Sequence, residues 1–345
     1  MTSSTRTDIT ILGGGPTGLF AAFYAGLRNA SCRIIDSMPE LGGRLTAVYP
    51  EKFIYDVAGF PKILAKDLVD GLVAQAKAYN PLINLNQQVE GLTADSEGFI
   101  LNTRNDKGES VTHYTRTIIV AAGVGLYSPK KHGAVGAKDF EGNGIEYAVL
   151  EKNIYAGKRV VIAGGGDSAL DWANELVALG AQVTLVHRSE KFRAHDDSVK
   201  KLYQTNARVL LNTEITSFNG NGKLQSATIL NNETSETELL AIDSALIMFG
   251  FNSSLGRMKE WGLQTKGDCI VVNDRMETSI PGIYAAGDIT DYSGKLKLIV
   301  TGFSEAAIAA NFAKSYINPK EKSQPMHSTT IMELKEKREA RAAKV

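Results

Sequence analysis

The pattern of hydrophobic and polar residues along the chain contains one unit that occurs twice. In the first unit an apolar strand meets a glycine turn that begins at Gly13, followed by an apolar helix and a second strand ending at Asp36. The second unit repeats this order from Gly164 to His187, and each turn begins 23 residues before the end of its second strand. Strands that alternate with helices predict a parallel, doubly wound sheet, here used twice. The strands predicted for the two units are 8–12, 31–36, 159–163 and 182–187, and the helices are 19–28 and 170–179.

Three further apolar strands, 117–121, 245–249 and 282–285, are predicted, and glycines near the ends of the first two indicate crossings between domains. We expect one discontinuous domain of residues 1–122 plus 248–345 and an inserted domain of residues 123–247. Segments 84–103 and 211–240 alternate apolar with polar residues and predict antiparallel hairpins or meanders. The tail segment 331–343 is compatible with an exposed helix.

Composition narrows the possible functions. The 345 residues favour about two domains at roughly 150 residues each, with 43% hydrophobic and 22% charged residues. Zero formal charge gives no global attraction to nucleic acid or to an anionic membrane. No apolar run approaches the roughly 18 residues of a membrane helix, and the polar start does not resemble a signal peptide. Cys32 and Cys269 lie in apolar runs typical of a reducing compartment, so we expect a cytoplasmic protein.

The first glycine turn has the pattern of a dinucleotide-binding loop. Gly13, Gly15 and Gly18 fit GxGxxG, with Pro16 and Thr17 between them. Glycine permits the tight turn and close backbone approach to a pyrophosphate, and the following helix N-terminus favours the phosphates. Asp36, 21 residues after Gly15, is placed to accept hydrogen bonds from a ribose diol. The alternative is an ordinary glycine turn with a solvated aspartate.

The second glycine turn fits GxGxxA, but the residues at the end of its second strand differ from those of the first unit. The residues predicted to hold its pyrophosphate are Gly164, Gly165, Gly166, Asp167, Ser168 and Ala169. Where the first unit has an acid, this one has His187 and then Arg188, with Lys191 and Arg193 beyond. A guanidinium binds a 2′-phosphate that an acid would repel, so NADP(H) is predicted over NAD(H). The alternatives are a solvated basic turn, and packing as the role of His187.

A strand near the C-terminus ends in Ala-Gly-Asp288. Its carboxylate could contact a sugar-alcohol chain such as flavin ribitol, and the helix predicted at 302–316 could direct its N-terminus at the flavin pyrimidine. An ordinary buried strand and helix is the alternative. The position of the Ala-Gly-Asp motif after two dinucleotide loops favours the flavin interpretation.

Several other chemistries lack a pattern in the sequence. Cys32 and Cys269 form no Cys-x-x-Cys pair, and no catalytic triad or metal cluster is apparent. His113 and His132 are interpreted as surface or packing residues. Electrons delivered by NADPH are therefore expected to leave directly from the flavin.

Longer strings resemble the thioredoxin-reductase-like ferredoxin–NADP⁺ reductases of bacteria and archaea over essentially the whole chain. The strings are Leu41-Gly-Gly-Arg-Leu45, Tyr49-Pro-Glu-Lys-Phe-Ile-Tyr-Asp-Val-Ala-Gly-Phe-Pro61, Gly164-Gly-Gly-Asp-Ser-Ala-Leu-Asp-Trp-Ala173, His187-Arg-Ser-Glu-Lys-Phe-Arg-Ala-His195 and Gln324-Pro-Met-His-Ser-Thr329. The resemblance implies an α/β fold with two Rossmann-like dinucleotide-binding domains of the three-layer ββα type, for FAD and NAD(P). This is the thioredoxin-reductase-like architecture without the Cys-x-x-Cys, because the corresponding stretch is Tyr147-Ala-Val-Leu-Glu151.

The resemblance also implies which residues contact the flavin. Tyr49 would stack on one face of its ring and His327 on the other, and these two are the predicted catalytic residues. Further predicted FAD contacts are Gly43, Arg44, Val89, Tyr127, Asp288, Ser328 and Thr329. Asp36, Arg44 and Ser189 depart from the residues common in the family, and Ser189 could weaken discrimination against NADH.

The implied reaction is hydride transfer from NADPH to flavin N5, followed by single-electron transfers to ferredoxin or flavodoxin. A homodimer is expected, with the tail of one subunit over the flavin of the other. Because ferredoxins are acidic, a local basic patch is expected, and its candidates are Lys130, Lys131, Lys295, Lys297 and the tail cations. The alternatives are a diaphorase or flavin reductase serving flavodoxin, quinones or iron chelates, and a non-catalytic flavin redox sensor.

Overall fold

The computed structural model describes residues 5–320, 327, 329–331 and 333. In this part of the chain the α-helices are α1 (Pro16–Leu27), α2 (Arg44–Ala47), α3 (Ala65–Lys77), α4 (Asp167–Ala178), α5 (Asp196–Tyr203) and α6 (Ile299–Ile317). Short 3₁₀ helices span Ala137–Phe140, Lys152–Tyr155 and Gly256–Trp261. None of the described helices is long and apolar enough to cross a membrane.

The strands are numbered in chain order. They are β1 (Thr7–Leu12), β2 (Cys32–Ile35), β3 (Phe53–Ile54), β4 (Ile63–Leu64), β5 (Leu82–Asn84), β6 (Gln87–Asp95), β7 (Gly98–Asn105), β8 (Ser110–Val120), β9 (Leu126–Pro129), β10 (Ile145–Glu146), β11 (Arg159–Ala163), β12 (Gln182–Val186), β13 (Arg208–Leu210), β14 (Thr213–Gly220), β15 (Leu224–Asn231), β16 (Thr237–Ala241), β17 (Ser244–Ile247), β18 (Phe251–Ser254), β19 (Thr265–Lys266), β20 (Cys269–Val271), β21 (Ile283–Ala285) and β22 (Thr290–Asp291).

Contacts divide the chain into two units. The first contains residues up to Thr46, Lys52–Leu126 and residues from Ser253 onward. The second contains Ala47–Glu51 and Tyr127–Asn252.

The first unit is built on a sheet with the strand order β5-β2-β1-β8-β7-β6. Strand β21 pairs with the C-terminal end of β8. Strands β5, β2, β1, β8 and β21 are parallel, whereas β6, β7 and β8 form an antiparallel meander. Ile9 and Ile11 of β1 are fully buried, as expected for a central parallel strand. Helices α1 and α6 contact each other, and each carries buried small residues, Gly18 and Ala22 on α1 and Ala306 on α6.

The second unit has an all-parallel sheet with the order β10-β17-β11-β12-β13. Successive side chains of a strand point to opposite faces, so β11 serves two cores. Val161 and Ala163 pack in the core that contains residues of the β14-β15-β16 meander, and Val160 and Ile162 pack in the core that contains α4. A meander, a parallel sheet and a helix in sequence are the predicted three-layer ββα arrangement, and the predicted fold class is confirmed.

Most predicted elements are present, with shifted ends. The helix predicted from Leu19 begins at Pro16, because the last glycine of the loop already belongs to the helix and proline suits its first position. The helix predicted from Leu170 begins three residues earlier, at Asp167, because Ala169 of the loop already belongs to the helix. The strand predicted at 117–121 is the end of the 11-residue β8. Most of the predicted tail helix 331–343 lies outside the described residues.

Candidate functional site

Of the three glycines that form the GxGxxG pattern after β1, one leaves an opening and the other two are closed. Gly13 has φ +113°, and a Cβ there would lie 2.4 Å from the Ala121 carbonyl oxygen. At Gly18 a Cβ would lie 1.9 Å from the Gly13 oxygen. At Gly15 it would meet nothing nearer than the Gly43 Cα, at 3.9 Å. The backbone at Gly15 is therefore accessible to a ligand group that approaches closely.

The first turn of α1 adds a favourable field for an anion. Its N-cap is Gly15, which has no capping side chain, and no acidic residue stands in the first turn. The first N–H groups of a helix lack intrahelical partners, and the dipole is positive at this end. Phosphate groups are the usual ligands of such a position.

Asp36 follows β2 directly and is 9% exposed. Its Oδ2 accepts a hydrogen bond from the Gly14 N–H, and its Oδ1 accepts one from the Met38 N–H at 2.8 Å. Burial raises the pKa of Asp36, and the backbone hydrogen bonds from Met38, Gly14 and Ser37 oppose that rise. Since each carboxylate oxygen can accept a further hydrogen bond, Asp36 can also bind a ribose hydroxyl.

A second glycine segment lies against the first loop. The Gly42 N–H donates to the Gly14 oxygen at 2.8 Å. A Cβ on Gly43, whose φ is +57°, would come within 3.0 Å of the Gly15 Cα. Arg44, half-buried, follows at the start of α2. The structure thus brings Gly43, which Arg44 follows in the chain, to the opening at Gly15.

Thr17 connects this loop with two later parts of the first unit. A Cβ added to Gly287 would lie 2.8 Å from the Thr17 Oγ1, and one added to Gly302 would lie 2.4 Å from it. Both glycines therefore make room for the threonine side chain. Asp288, next to Gly287, is partly exposed. The start of α1, the turn after β21 and the first turns of α6 meet here.

The loop after β11 repeats this geometry in the second unit. Gly164 has φ +156°, and a Cβ there would lie 2.7 Å from the Met248 oxygen and 3.0 Å from the Ala169 Cβ. Gly166 is the N-cap of α4, and a Cβ there would meet nothing within 4 Å. Asp167 begins α4, and its Oδ1 accepts a hydrogen bond from the His195 N–H at 2.8 Å.

His187 stands where the first unit has Asp36, and it is buried. Its ring lies against Gly165, where a Cβ would come within 2.2 Å, and it stacks on Phe192 at 5.4 Å between ring centroids. Its Nε2 donates to the Lys191 oxygen at 3.0 Å. Burial lowers the pKa of His187, so the ring is a neutral packing group in the neutral pH range.

The cations that follow His187 are exposed. Arg188, Lys191 and Arg193 all have exposed side chains. The Arg193 N–H donates to the Gly165 oxygen at 2.7 Å, which fixes the backbone of this segment to the glycine loop. The second loop is therefore flanked by positive charge, whereas a carboxylate lies beside the first.

A cavity of about 370 Å³ opens beside the second loop. Gly166, Asp167, Ser168 and Arg193 supply its polar wall. Its aromatic lining is Tyr49, Tyr147, Trp172, Phe249 and Phe251. Tyr49 thus belongs to the cavity of the second unit, a position that its place in the sequence did not predict.

The remaining predicted contacts are spread over the chain. Val89 is half-buried and packs against the core of the first unit. His327 and Thr329 are exposed, and the His327 carbonyl accepts a hydrogen bond from the Ile331 N–H at 3.1 Å. The side chain of Tyr127 and the whole of Ser328 lie outside the described residues.

The predicted basic patch needs correction at one position. Lys295 is not a surface cation: its side chain is 6% exposed and its ammonium is paired with Glu305, which is 2% exposed. Lys131 is exposed but paired with Glu141, and Lys297 lies 3.7 Å from the Cys269 Sγ. Sequence reasoning did not single out Glu305. The available signal was an acidic residue in an otherwise Ala-rich helix.

His113 and His132 are packing residues, as expected. His113 is fully buried, and its Nε2 lies 2.7 Å from the Gln87 Oε1. Burial, and then the nearby charge of Arg33, lowers the pKa of His113 to about 4. His132 packs edge-on against Phe218. In the described part of the chain, no group of three or more His, Cys, Asp or Glu side chains is arranged to hold a metal ion.

Comparison with known proteins agrees with two nucleotide loops on this fold. Residues 7–306 match the family model described as pyridine nucleotide-disulphide oxidoreductase. The chain belongs to this family.

Individual proteins that are similar to this chain include two curated reductases and one solved structure. A protein named ferredoxin–NADP reductase from Halalkalibacterium halodurans is 50% identical over 94% of this chain and 97% of its own. One named ferredoxin–NADP reductase 2 from Shouchella clausii is 47% identical over the same shares. A crystal structure of T. acidophilum thioredoxin reductase has a TM-score of 0.75 at 28% identity, covering 90% of this chain and 98% of that one.

These comparisons confirm the predicted resemblance and the predicted enzyme class, an oxidoreductase. The predicted cofactors, FAD and NADP(H), agree with membership of this family. The family name refers to a disulphide, but the stretch 147–151 of this chain contains no cysteine.

Proposed function

We propose that the protein transfers electrons between NADPH and ferredoxin through bound FAD. The observation that carries the proposal is the contrast at one fold position: a carboxylate beside the first glycine loop, and a buried imidazole followed by exposed cations beside the second. Relatives at 47% to 50% identity that are named ferredoxin–NADP reductases support the choice of acceptor.

The first unit has room and chemistry for FAD. The open face of Gly15 and the uncapped start of α1 fit a pyrophosphate. We assign Gly13, Gly15 and Gly18 to the loop itself, and Asp36 to the ribose. The other proposed contacts are Pro16, Thr17, Gly43, Arg44, Val89, Tyr127, Asp288, Ser328 and Thr329.

The second unit has room and chemistry for NADPH. Gly166 is open in the same way as Gly15, and Gly164 to Ala169 would hold the pyrophosphate. Arg188, Lys191 and Arg193 would bind the 2′-phosphate, because guanidinium and ammonium groups form charge-assisted hydrogen bonds with phosphate oxygens. His187 would hold the loop through its contact with Gly165.

The burial of Cys32 and the absence of a cysteine pair from residues 147–151 favour direct electron exit from the flavin. FAD, when bound, supplies the conversion between a two-electron donor and a one-electron acceptor. Cys32 is buried on β2, and burial raises its pKa to about 12, so it is not a reactive thiolate. The chain from Tyr147 to Glu151, where thioredoxin reductases carry their cysteine pair, has none. Electrons then need no disulfide between flavin and acceptor.

Tyr49 and His327 are proposed to cover the two faces of the flavin ring, and Tyr49 supplies an aromatic wall next to the second loop. We propose a cytoplasmic homodimer. We also propose that residues 1–122 with 248–345 bind FAD and that residues 123–247 bind NADP(H).

An acceptor screen tests the function. The purified protein would be supplied with NADPH, and turnover would be compared for ferredoxin, flavodoxin, a quinone, a ferric chelate, ferricyanide and a protein disulfide. We expect ferredoxin to be reduced faster than ferricyanide and the disulfide not to be reduced. Equal rates with ferredoxin and ferricyanide would indicate a general diaphorase. No oxidation of NADPH with any acceptor would indicate a redox sensor.

A further inference from the structure

One carboxylate of the first unit lies in the interior of the fold. Glu305 stands on α6, one turn after Gly302, and its side chain is 2% exposed. The Lys295 ammonium lies 2.5 Å from its Oε1. A buried charge is costly unless a counter-charge and hydrogen bonds offset the loss of water, so this pair requires an explanation.

The groups around Glu305 are hydrogen-bond donors. The Gly287 N–H donates to Oε2 at 2.6 Å, and the Tyr292 hydroxyl donates to Oε1 at 2.6 Å. The Thr290 hydroxyl donates to the Gly287 oxygen at 2.8 Å and lies 3.4 Å from Oε2. An ionised carboxylate only accepts hydrogen bonds, whereas an amide would turn its own NH₂ toward some of these donors. The surroundings therefore fit a glutamate and not a glutamine.

Glu305 connects two segments of the first unit, of which one lies beside the glycine loop. One is the turn Gly287–Thr290, which contains Asp288 and makes room for Thr17. The other is the loop Tyr292–Lys295, which leads into α6. A buried ion pair is weak evidence for stability by itself, since apolar residues of similar volume often serve as well. The position of this ion pair suggests that it is retained because it holds these two segments in place.

We propose that Glu305, neutralised by Lys295, is a positioning residue for the nucleotide of the first unit. It holds the Gly287–Thr290 turn, and with it Asp288, at the start of α1, and it holds the loop that sets where α6 begins. This inference rests on the proposed binding of FAD to the first unit.

Three full-length variants test the proposal: Glu305→Gln, Lys295→Met and the double variant. The rate of FAD release after dilution of the holoprotein, followed by the fluorescence of free FAD, is the first measurement. Glu305→Gln is expected to release FAD roughly 10- to 100-fold faster, the usual effect of losing a buried hydrogen bond to a charge. Glu238→Gln is the matched control, because it removes a carboxylate from an exposed ion pair, with Arg208, in the second unit.

The flavin midpoint potential separates positioning from support of the fold. Loss of the negative charge in Glu305→Gln should raise the potential, and loss of the positive charge in Lys295→Met should lower it. The double variant should return toward the wild type. A merely structural role would shift both single variants in the same direction or not at all. Should Glu305→Gln not fold, Lys295→Met is compared with Lys295→Arg, which keeps the charge and should restore both values.

The outcomes distinguish this inference from the proposed function. If the wild-type protein does not bind FAD, the proposed function fails. If the wild type binds FAD but both single variants release it at the wild-type rate with unchanged potential, the positioning role of Glu305 is wrong and the function stands.

Discussion

The imidazole ring of His187 lies directly against the backbone of Gly165, where a Cβ atom would come within 2.2 to 2.5 Å of the ring atoms. In the first unit the matched pair is Asp36 and Gly14, joined by a hydrogen bond from the Gly14 N–H to the carboxylate. The same position of the fold therefore carries a carboxylate in the first unit and an imidazole in the second. The carboxylate presents acceptors to a ribose, while the buried ring leaves recognition to the exposed cations that follow it.

Two neighbouring glycines of the second loop should respond differently to alanine. Gly165→Ala places a methyl group against the His187 ring and should destabilise the protein by about 1–3 kcal/mol, the usual cost of overpacking. Gly166→Ala meets no neighbour and has φ −102°, so thermal stability should be unchanged. The methyl group would instead occupy the space of the pyrophosphate and raise the Kd for NADPH.

Thermal unfolding and NADPH titration of both variants check this pair. The account is contradicted if Gly166→Ala binds NADPH as tightly as the wild type, or if Gly165→Ala unfolds at the wild-type temperature.

The exposed cations should determine the preference for NADPH. Arg188→Ala and Arg193→Ala should each raise the KM for NADPH by about tenfold, the low end for a lost charge-assisted hydrogen bond at an exposed site. The KM for NADH should change little, because NADH has no 2′-phosphate. Lys223→Ala, an exposed cation in the turn between β14 and β15, is the control. Equal losses with NADH and NADPH would mean that these residues do not read the 2′-phosphate.

Acid should destabilise the first unit through His113. Its pKa is lowered from 6.5 to about 4 in the folded protein, so the unfolded chain binds the proton more readily. The stability contributed by neutral His113 is fully present above pH 6.5 and is lost as the pH falls toward 4. The shift corresponds to roughly 3 kcal/mol.

Chemical denaturation between these pH values, with wild type and His113→Gln, measures the effect. The variant should lose less stability on acidification than the wild type. His195→Gln, which replaces an imidazole that is 89% exposed, is the control and should follow the wild type. Parallel curves for the wild type and His113→Gln would show that His113 does not cause the acid sensitivity.

Tyr49 offers a test of aromatic stacking at the flavin. Tyr49→Phe keeps the ring and should leave the fluorescence of bound flavin quenched. Tyr49→Ala removes the ring, so the fluorescence should rise and the rate of flavin reduction by NADPH should change with it. Fluorescence of the two holoproteins after removal of free FAD decides the matter. Quenching that is equal in both variants would exclude Tyr49 as the stacking residue.

The nucleotide loops could be predicted because their constraints are local. A glycine is required where φ is positive or where a Cβ would collide, as at Gly13 and Gly18, and such positions recur at fixed spacing. The end of the second strand then fixes where Asp36 and His187 stand relative to each loop. These features depend on only about 25 consecutive residues, so the pattern in the sequence retains them.

Other features depend on contacts that no short window contains. Lys295 was expected on the surface because lysines usually are, but its partner Glu305 lies on a helix face that buries it. Tyr49 precedes a proline in the first half of the chain, yet it lines the cavity of the second unit. Arg193 was predicted from its charge, whereas the bond from its N–H to Gly165 appears only in the fold.

Double-mixing stopped flow tests the central claim most directly. The holoprotein is first mixed anaerobically with NADPH, and the reduced protein is then mixed with oxidised ferredoxin. We expect NADPH to bleach the flavin faster than NADH does, and the flavin colour to return in step with reduction of ferredoxin. Absence of bleaching by NADPH, or a reduced flavin that ferredoxin cannot reoxidise, would contradict the account.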